Sequence, residues 1–445
     1  MSDFTYHLTR IRNAGYGWVR LASNDIDPIL HANKIGLDVI VVLDIRDAFR
    51  EFYQAQGEIR RKAAHETAEK IERNAKTKMK QAREALEELL KRLDPNGLLR
   101  PVIEAARLTA KAAEDAFLEA SLKANQMIID ADHEYERFLM EKLDIVSRLE
   151  ERAFPPGWEG VWKSHIKERI DKLWEKKALV HRYQITNEPN HLYHNWAMAR
   201  NLDLAANVVN IGGEAAKARH GQISGSTPET MVNLFFRWCN TTALTMPKSY
   251  VIDDRSYIDK LSSNAPSIDT LLFDIYPLTW HITTLENELP ILPCYLNRYL
   301  DEYHDRWRDS SGCHKPVGIM ETGWCTSPHL WLHALRKASP ELAKKIENAG
   351  IPLDASDLAQ MEFFNRLFDS MRDYLANKDW VKYLGIYEYV STEEWYENRL
   401  GLPCENYFGL NTKCGREKPA WKCVEMQLHR LKDGARKKVG ITYHV

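Results

Sequence analysis

The sequence predicts an α/β fold, a (β/α)8 barrel with a helical hairpin inserted into it, on three observations. Short β-branched apolar runs alternate with amphipathic helical stretches over most of the chain, the pattern of a parallel sheet wrapped by helices. Residues 50–151 abandon that pattern for Ala, Lys, Glu, Arg and Leu, and setting them aside leaves about 340 residues, within the range of an eight-stranded TIM barrel. Two glutamates, Glu188 and Glu321, each stand where an apolar run ends and a loop begins, which is where such a barrel gathers its reacting groups.

In chain order, a helix-like segment at 4–13 leads into apolar runs at 17–21 and 38–43. The insertion follows, with no glycine between Gly57 and Gly97. Its apolar positions step by threes and fours through Ala64, Ala68, Ile71, Ala75, Met79, Ala82, Leu86, Leu89 and Leu93, with one stutter between Ala75 and Met79. Asp94-Pro95-Asn96-Gly97 breaks the run, and a second series passes through Ile103, Ala106, Ala110, Ala113, Phe117, Ala120, Ala124, Met127 and Ala131. Two heptad series around a turn predict an antiparallel coiled-coil hairpin, its arms roughly 65 Å long at 1.5 Å per residue. Because it leaves the chain directly after a strand, it is expected on the loop face that carries the glutamates.

Further strands are predicted at 180–186, 222–225, 268–276, 317–321 and 383–389, with helices at 158–177, 204–219, 285–307, 358–376 and 420–431. That makes seven strands where a closed barrel needs eight. The strand expected before the first helix is missing, while Val439-Gly440-Ile441-Thr442-Tyr443-His444-Val445 supplies a strand-like run at the other end. A circularly permuted order is therefore predicted, with strand 1 at the C-terminus, since the ends of compact domains often lie close together. On that count Glu188 follows the fourth strand and Glu321 ends the seventh. The domains are then 1–49 with 152–445 for the barrel and 50–151 for the hairpin.

Composition excludes several classes of partner. The 61 basic and 63 acidic residues give a formal charge of -2, which argues against nucleic acid or an anionic membrane as the main partner. Met1-Ser2-Asp3-Phe4-Thr5-Tyr6-His7 lacks the basic and then apolar pattern of a secretory signal, and no apolar run reaches the length of a membrane span. A cytoplasmic protein is the expectation for the chain as given, with secretion of a longer precursor left open. The 7 cysteines are scattered without CxxC pairs and read as reduced thiols, and no metal or cofactor is expected.

The chemistry is carried by Ile185-Thr186-Asn187-Glu188-Pro189-Asn190 and Gly318-Ile319-Met320-Glu321-Thr322-Gly323-Trp324. Cleaving a glycosidic bond takes one carboxyl that protonates the leaving oxygen and a second that meets the positive charge developing on the sugar carbon. Two glutamates at strand ends suit that task. With these motifs in order, the chain outside the hairpin resembles the retaining glycoside hydrolases of clan A, most densely over residues 174–190. The resemblance implies that Glu188, in Asn187-Glu188-Pro189, is the acid/base and that Glu321 is the nucleophile.

It also implies that Arg20 and Tyr276 hold Glu321 ionised and oriented, and that Asn187 bonds the sugar 2-hydroxyl. Trp280 and Trp324 are candidates for the aromatic platform under the sugar, each with a core role as the alternative. Where many clan members carry a tryptophan under the reacting sugar at strand eight, this chain reads Tyr387-Glu388-Tyr389, which makes Glu388 a candidate to bind a sugar hydroxyl or amino group. Asp44 is a weaker candidate of the same kind, a structural salt bridge being the alternative, and His191 and His194 are candidates to line the site. The expected activity is retaining hydrolysis of β-glycosidic bonds in an oligo- or polysaccharide. The alternative is a catalytically inactive barrel that binds carbohydrate or scaffolds partners through the hairpin, for which homo-oligomerisation is the favoured role.

Overall fold

In the computed structural model the described residues are 3–21, 25–91, 100–191, 195–235, 254–276, 296–326, 340–341, 344, 356–391, 407–412 and 414–444. They divide into two compact units, Met1–Ala48 with Arg148–Val445, and Phe49–Ser147.

The first unit is a closed barrel of eight parallel strands. In order, these are β1 (Trp18–Leu21), β2 (Asp38–Leu43), β3 (Arg182–Asn187), β4 (Glu229–Phe235), β5 (Thr270–Ile275), β6 (Val317–Thr322), β7 (Val381–Ile386) and β8 (Val439–Tyr443). The helices are α1 (Asp3–Asn13), α2 (Asp27–Lys34), α3 (Ile45–Lys91), α4 (Arg100–Ser147), α5 (Trp158–Glu175), α6 (Trp196–Arg200), α7 (Leu202–Ser224), α8 (Asp254–Asn264), α9 (Leu296–Arg306), α10 (Asp357–Asn377), α11 (Pro419–Arg430) and α12 (Asp433–Arg436). β5 and β6 are buried along their whole length, as strands sandwiched between helices and a filled interior must be.

The ring is completed by the C-terminal run, β8 lying between β7 and β1 with Trp18 opposite Gly440 and Arg20 opposite Thr442. The interior beneath the site is filled by Trp18, Ile40, Met231, Leu272, Met320 and Tyr383. Trp18 fits only because its neighbour lacks a side chain, since a Cβ on Gly440 would lie 1.9 Å from the indole. Gly440→Ala is therefore expected to destabilise the barrel by about 1–3 kcal/mol through overpacking. A lowered urea midpoint at constant slope would show it.

One predicted strand was misplaced. Residues 222–225 are the last turn of α7 and its glycine stop, Gly225 at φ +69°, and the strand is Glu229–Phe235 instead. The helical pattern wins because Ala205, Val208, Val209, Gly212, Ala216 and His220 form one buried face that runs on past residue 219. Asn201 starts that helix by accepting a bond from the Leu204 amide. Part of the helix expected at 285–307 lies outside the described residues, and Leu296–Arg306 forms its described portion.

In the second unit two long helices run antiparallel, tied by Arg61 to Asp132 at 2.7 Å, Ser121 to Glu72 at 3.1 Å and Arg83 to Glu114 at 2.7 Å. Ala68, Ala110 and Ala124 are buried between them. Leu93 and the predicted breaker at 94–97 lie outside the described residues. The outer face of α4 exposes Leu118, Leu122, Ile129 and Met140. Among the described residues no helix is long and apolar enough to cross a membrane. Cys313 is exposed and Cys423 buried, and neither is joined in a disulfide.

Candidate active site

Glu188 reaches its place through a distorted strand end. The register of β3 against β4 shifts between Gln184 and Asn187, and the backbone turns left-handed at Thr186 (φ +52°) and Glu188 (φ +46°). A β-branched residue adopts that conformation only under strain, of about 1–3 kcal/mol, which neighbouring contacts must offset. Asn195 does so by donating its amide to the carbonyls of Asn187 and Glu188, both at 2.7 Å. Asn190 locks the turn to β4, donating to the Phe235 carbonyl at 2.7 Å and accepting from the Phe235 amide at 2.8 Å. The final asparagine of the motif is therefore a clamp between strands.

Glu321, at the end of β6, is gripped from two sides. Arg20 donates to Oε1 and the Tyr276 hydroxyl donates to Oε2. Thr442, brought beside Arg20 by the β1–β8 register, reaches Oε1 at 3.5 Å. Arg20 is itself oriented by Gln184 Oε1 at 2.6 Å and Asn187 Oδ1 at 2.8 Å. Burial opposes its charge, but Glu321, Asp274, Tyr276 and Glu188 outweigh burial and hold the guanidinium firmly protonated. The Tyr276 phenol is pushed well above its usual range by burial and by Glu321 and Asp274, so it acts as a donor.

Asn187 Oδ1 also accepts from Gln184 Nε2 and Asn233 Nδ2, each at 2.9 Å. Three donors on the oxygen turn the amide nitrogen away from them. The amide N–H of Asn187 is thus left pointing away from these three donors.

The carboxyl of Glu188 is only 7% exposed. Burial first, then the negative charge of Glu321, push it up to about 7, against the pull of Asp274, Arg20 and Arg46. Asp274, wholly buried on β5, is hydrogen-bonded to it and is raised well above the carboxylate range by burial, Glu321 and Glu188. Sequence reasoning missed Asp274, Gln184, Asn233, Asn195 and Arg46. Asp274 and Asn233 have a signal: each is a polar residue within an apolar run, Leu271 to Ile275 and Met231 to Phe235, and Asp274 is two residues before Tyr276, the spacing of one strand face.

The remaining predicted residues are placed less centrally. Asp44 is taken up by Arg46, which reaches its two oxygens at 3.1 and 2.7 Å at the start of α3. Trp324 is 4% exposed, with its ring against Phe363 and its carbonyl bonded by Gln360 at 2.8 Å, contacts that describe a core aromatic. Glu388 is fully buried after β7, its Oε2 lying 3.5 Å from His444 Nε2. His191 sets its ring edge-on to Phe235. Trp280 and His194 lie outside the described residues.

His304, Asp305 and His314 bring three ligand atoms within 4.8 Å of one another. The two imidazoles stack at 21°, so their in-plane lone pairs do not converge on one ion, and His304 also stacks on Trp380 at 4.1 Å.

No protein-family model matches the chain, and no curated protein matches it. Solved structures similar to it include glycoside hydrolases. One is a GH2 β-galacturonidase from Eisenbergiella tayi, at 15% identity over 64% of this chain and 39% of that one, with a TM-score of 0.38. The chain thus spans well under half of that enzyme's length. A structure of fungal β-1,4-galactanases is similar at 14% identity, over 61% of this chain and 70% of that one, with a TM-score of 0.39. Xylanase B from Clostridium stercorarium F9 is similar at 12% identity, over 60% and 66%, with a TM-score of 0.35. Likeness at this level carries no chemistry, which must be argued from the side chains of the site.

Proposed function

We propose that the barrel is a retaining glycoside hydrolase that cleaves β-glycosidic bonds of an oligo- or polysaccharide by double displacement. One observation carries the reading. Two glutamates share a buried cluster in which Glu321 is held by a guanidinium and a phenol, while Glu188 is pushed up to about 7. A carboxyl that keeps its proton near neutrality beside one gripped by two donors has the acid and nucleophile roles of this reaction.

Glu321 attacks the anomeric carbon as Glu188 protonates the departing oxygen, and a glycosyl ester forms on Glu321. Forming the ester removes the negative charge that kept the Glu188 proton in place, so Glu188 can then take a proton from water as it attacks the same carbon. Asn187 donates to the sugar 2-hydroxyl throughout. Asp44, Trp280, Trp324 and Glu388 remain proposed contacts to the sugar, weakest for Asp44 and Trp324, whose described contacts are structural.

The alternative is a catalytically inactive barrel that serves as a carbohydrate-binding or interaction scaffold. Three buried carboxyls around Arg20 oppose folding, and a scaffold gains nothing from them. The test is hydrolysis of a panel of aryl β-glycosides, with the anomer of the first product read by NMR. Release of the β-anomer supports retention, and no turnover on aryl or polymeric β-glycans would favour the scaffold. Tyr276→Phe, which removes one donor from Glu321, is expected to lower kcat by about 10²-fold or more with a smaller change in KM.

The association expected of the helical unit attaches to the Leu118, Leu122, Ile129 and Met140 stripe of α4. Light scattering of the full chain and of a Leu122→Asp, Ile129→Asp variant tests it. A fall to the mass of one chain in the variant is expected, and equal masses would remove the stripe from consideration.

A further inference from the structure

We propose that Asp274 is a protonated partner of Glu188, whose carboxyl O–H donates to the Glu188 carboxylate once Glu188 has given up its own proton. Asp274 is then a positioning residue that sets how readily Glu188 acts as acid and later as base. The inference rests on the hydrolase reading above.

Arg20 can only donate. Its Nε bond fixes Gln184 Oε1 as an acceptor, which turns Gln184 Nε2 toward Asn233 Oδ1 at 2.5 Å. Asn233 Oδ1 also accepts from the Glu188 backbone amide at 3.3 Å, so Asn233 Nδ2 is the atom that faces Asp274 Oδ2. Asp274 Oδ2 is therefore an acceptor, and Oδ1 is left for the contact with Glu188. No N–H or O–H donor of a described residue reaches Oδ1. Two carboxyls in hydrogen-bonding contact need a proton between them, and the amide chain assigns it to Asp274 Oδ1 when Glu188 is ionised.

The surrounding charges agree. Glu321 faces the pair from β6, Arg20 from β1 and Arg46 from the start of α3, with the neutral Tyr276 phenol just after β5 beside them. Arg46 is matched by Asp44, which leaves Arg20 facing three carboxyls. Burial and the adjacent carboxylates keep Asp274 protonated well above the usual range.

The proton balance closes. In the first step the Glu188 proton goes to the leaving oxygen, the glycosidic C–O bond breaks and the Glu321 ester forms, while Asp274 retains its proton and donates to the new carboxylate. In the second step water gives a proton to Glu188 and its oxygen to the anomeric carbon, Glu321 departs as carboxylate, and Asp274 again keeps its proton.

The test compares pH profiles of kcat for wild type, Asp274→Ala and Asp274→Asn, with infrared spectra of the unliganded proteins at pH 8. Alanine removes the donor, so the alkaline limb is expected to move up by about one pH unit, with kcat at least tenfold lower. Asparagine presents an N–H to Glu188 and an oxygen to Asn233, and is expected to rescue most of both losses. An ionised Asp274 would give the opposite sign: either substitution would remove a neighbouring negative charge and move the limb down, which would overturn the proposal. So would an unmoved limb in both variants. The infrared arm does not need turnover: wild type is expected to show a protonated-carboxyl band that Asp274→Asn lacks, and equal bands would reject the proposal even if Asp274→Ala fails to fold. A protein inactive on every glycoside but showing that band would defeat the hydrolase reading and leave the proton assignment standing.

Discussion

Glu321→Ala is expected to lower hydrolysis of an aryl β-glycoside by on the order of 10⁴-fold or more, and added azide to restore part of it as the α-glycosyl azide. The truncation opens a space between two groups that remain, the Arg20 guanidinium and the Tyr276 hydroxyl, both of which point at the missing carboxylate. A small anion suits that space. Azide held there attacks the face that Glu321 attacked, and with no second displacement the configuration stays inverted. Glu188→Ala with azide should give the β-azide instead, because there the ester forms first and azide replaces water. A β-azide from Glu321→Ala, or no rescue at all, would remove Glu321 from the nucleophile role. Glu321→Gln is the folding control, since alanine leaves the 4% exposed Arg20 as a buried cation without its carboxylate.

How far the site was legible follows from which forces act locally. Glu188 and Glu321 stand out because apolar runs end at them, and a strand's end is a local property of sequence. Closure of the ring by Val439–Tyr443 was legible for the same reason, as a β-branched run after the last amphipathic helix reads as a strand. The false strand at 222–225 failed locally too. The Ala205 to His220 face was read as ending at residue 219, whereas the stop that matters is Gly225. Gln184, Asn233 and Asp274 were missed for a different reason. Asn233 and Asp274 are polar residues in apolar runs, which also occur where they cap a bulge or meet buried water, and Gln184 is one of several polar residues in β3. Only closure shows that polar residues from β1, β3, β4, β5 and β8 meet around Glu321. Trp324 shows the converse. Its position three residues after Glu321 suggested a sugar platform, while its ring lies against Phe363 of α10, a contact no spacing rule encodes.

Glu188→Gln is expected to change activity and stability in opposite directions. For a substrate with a poor leaving group, loss of the proton donor should lower kcat by about 10²–10⁴-fold, while an activated aryl glycoside, which leaves without a proton, should keep most of its first-step rate. The alkaline limb of the wild-type profile, set by Glu188 near 7, should vanish with the substitution. Stability follows from linkage. Glu188 is pushed from 4.5 to about 7 in the folded protein, so between those values the native state holds a proton that the unfolded chain has lost. Wild-type stability from this group therefore falls as pH rises through that window and stays low above it. Glutamine never ionises, so its advantage should be near zero below pH 4.5 and grow to about 3 kcal/mol by pH 8, read as a rise in the urea midpoint. A midpoint difference constant between pH 4 and pH 8 would mean that Glu188 titrates normally. The acid role would then lose its physical basis, because only a carboxyl that resists ionisation in the folded site can hold its proton for the leaving oxygen.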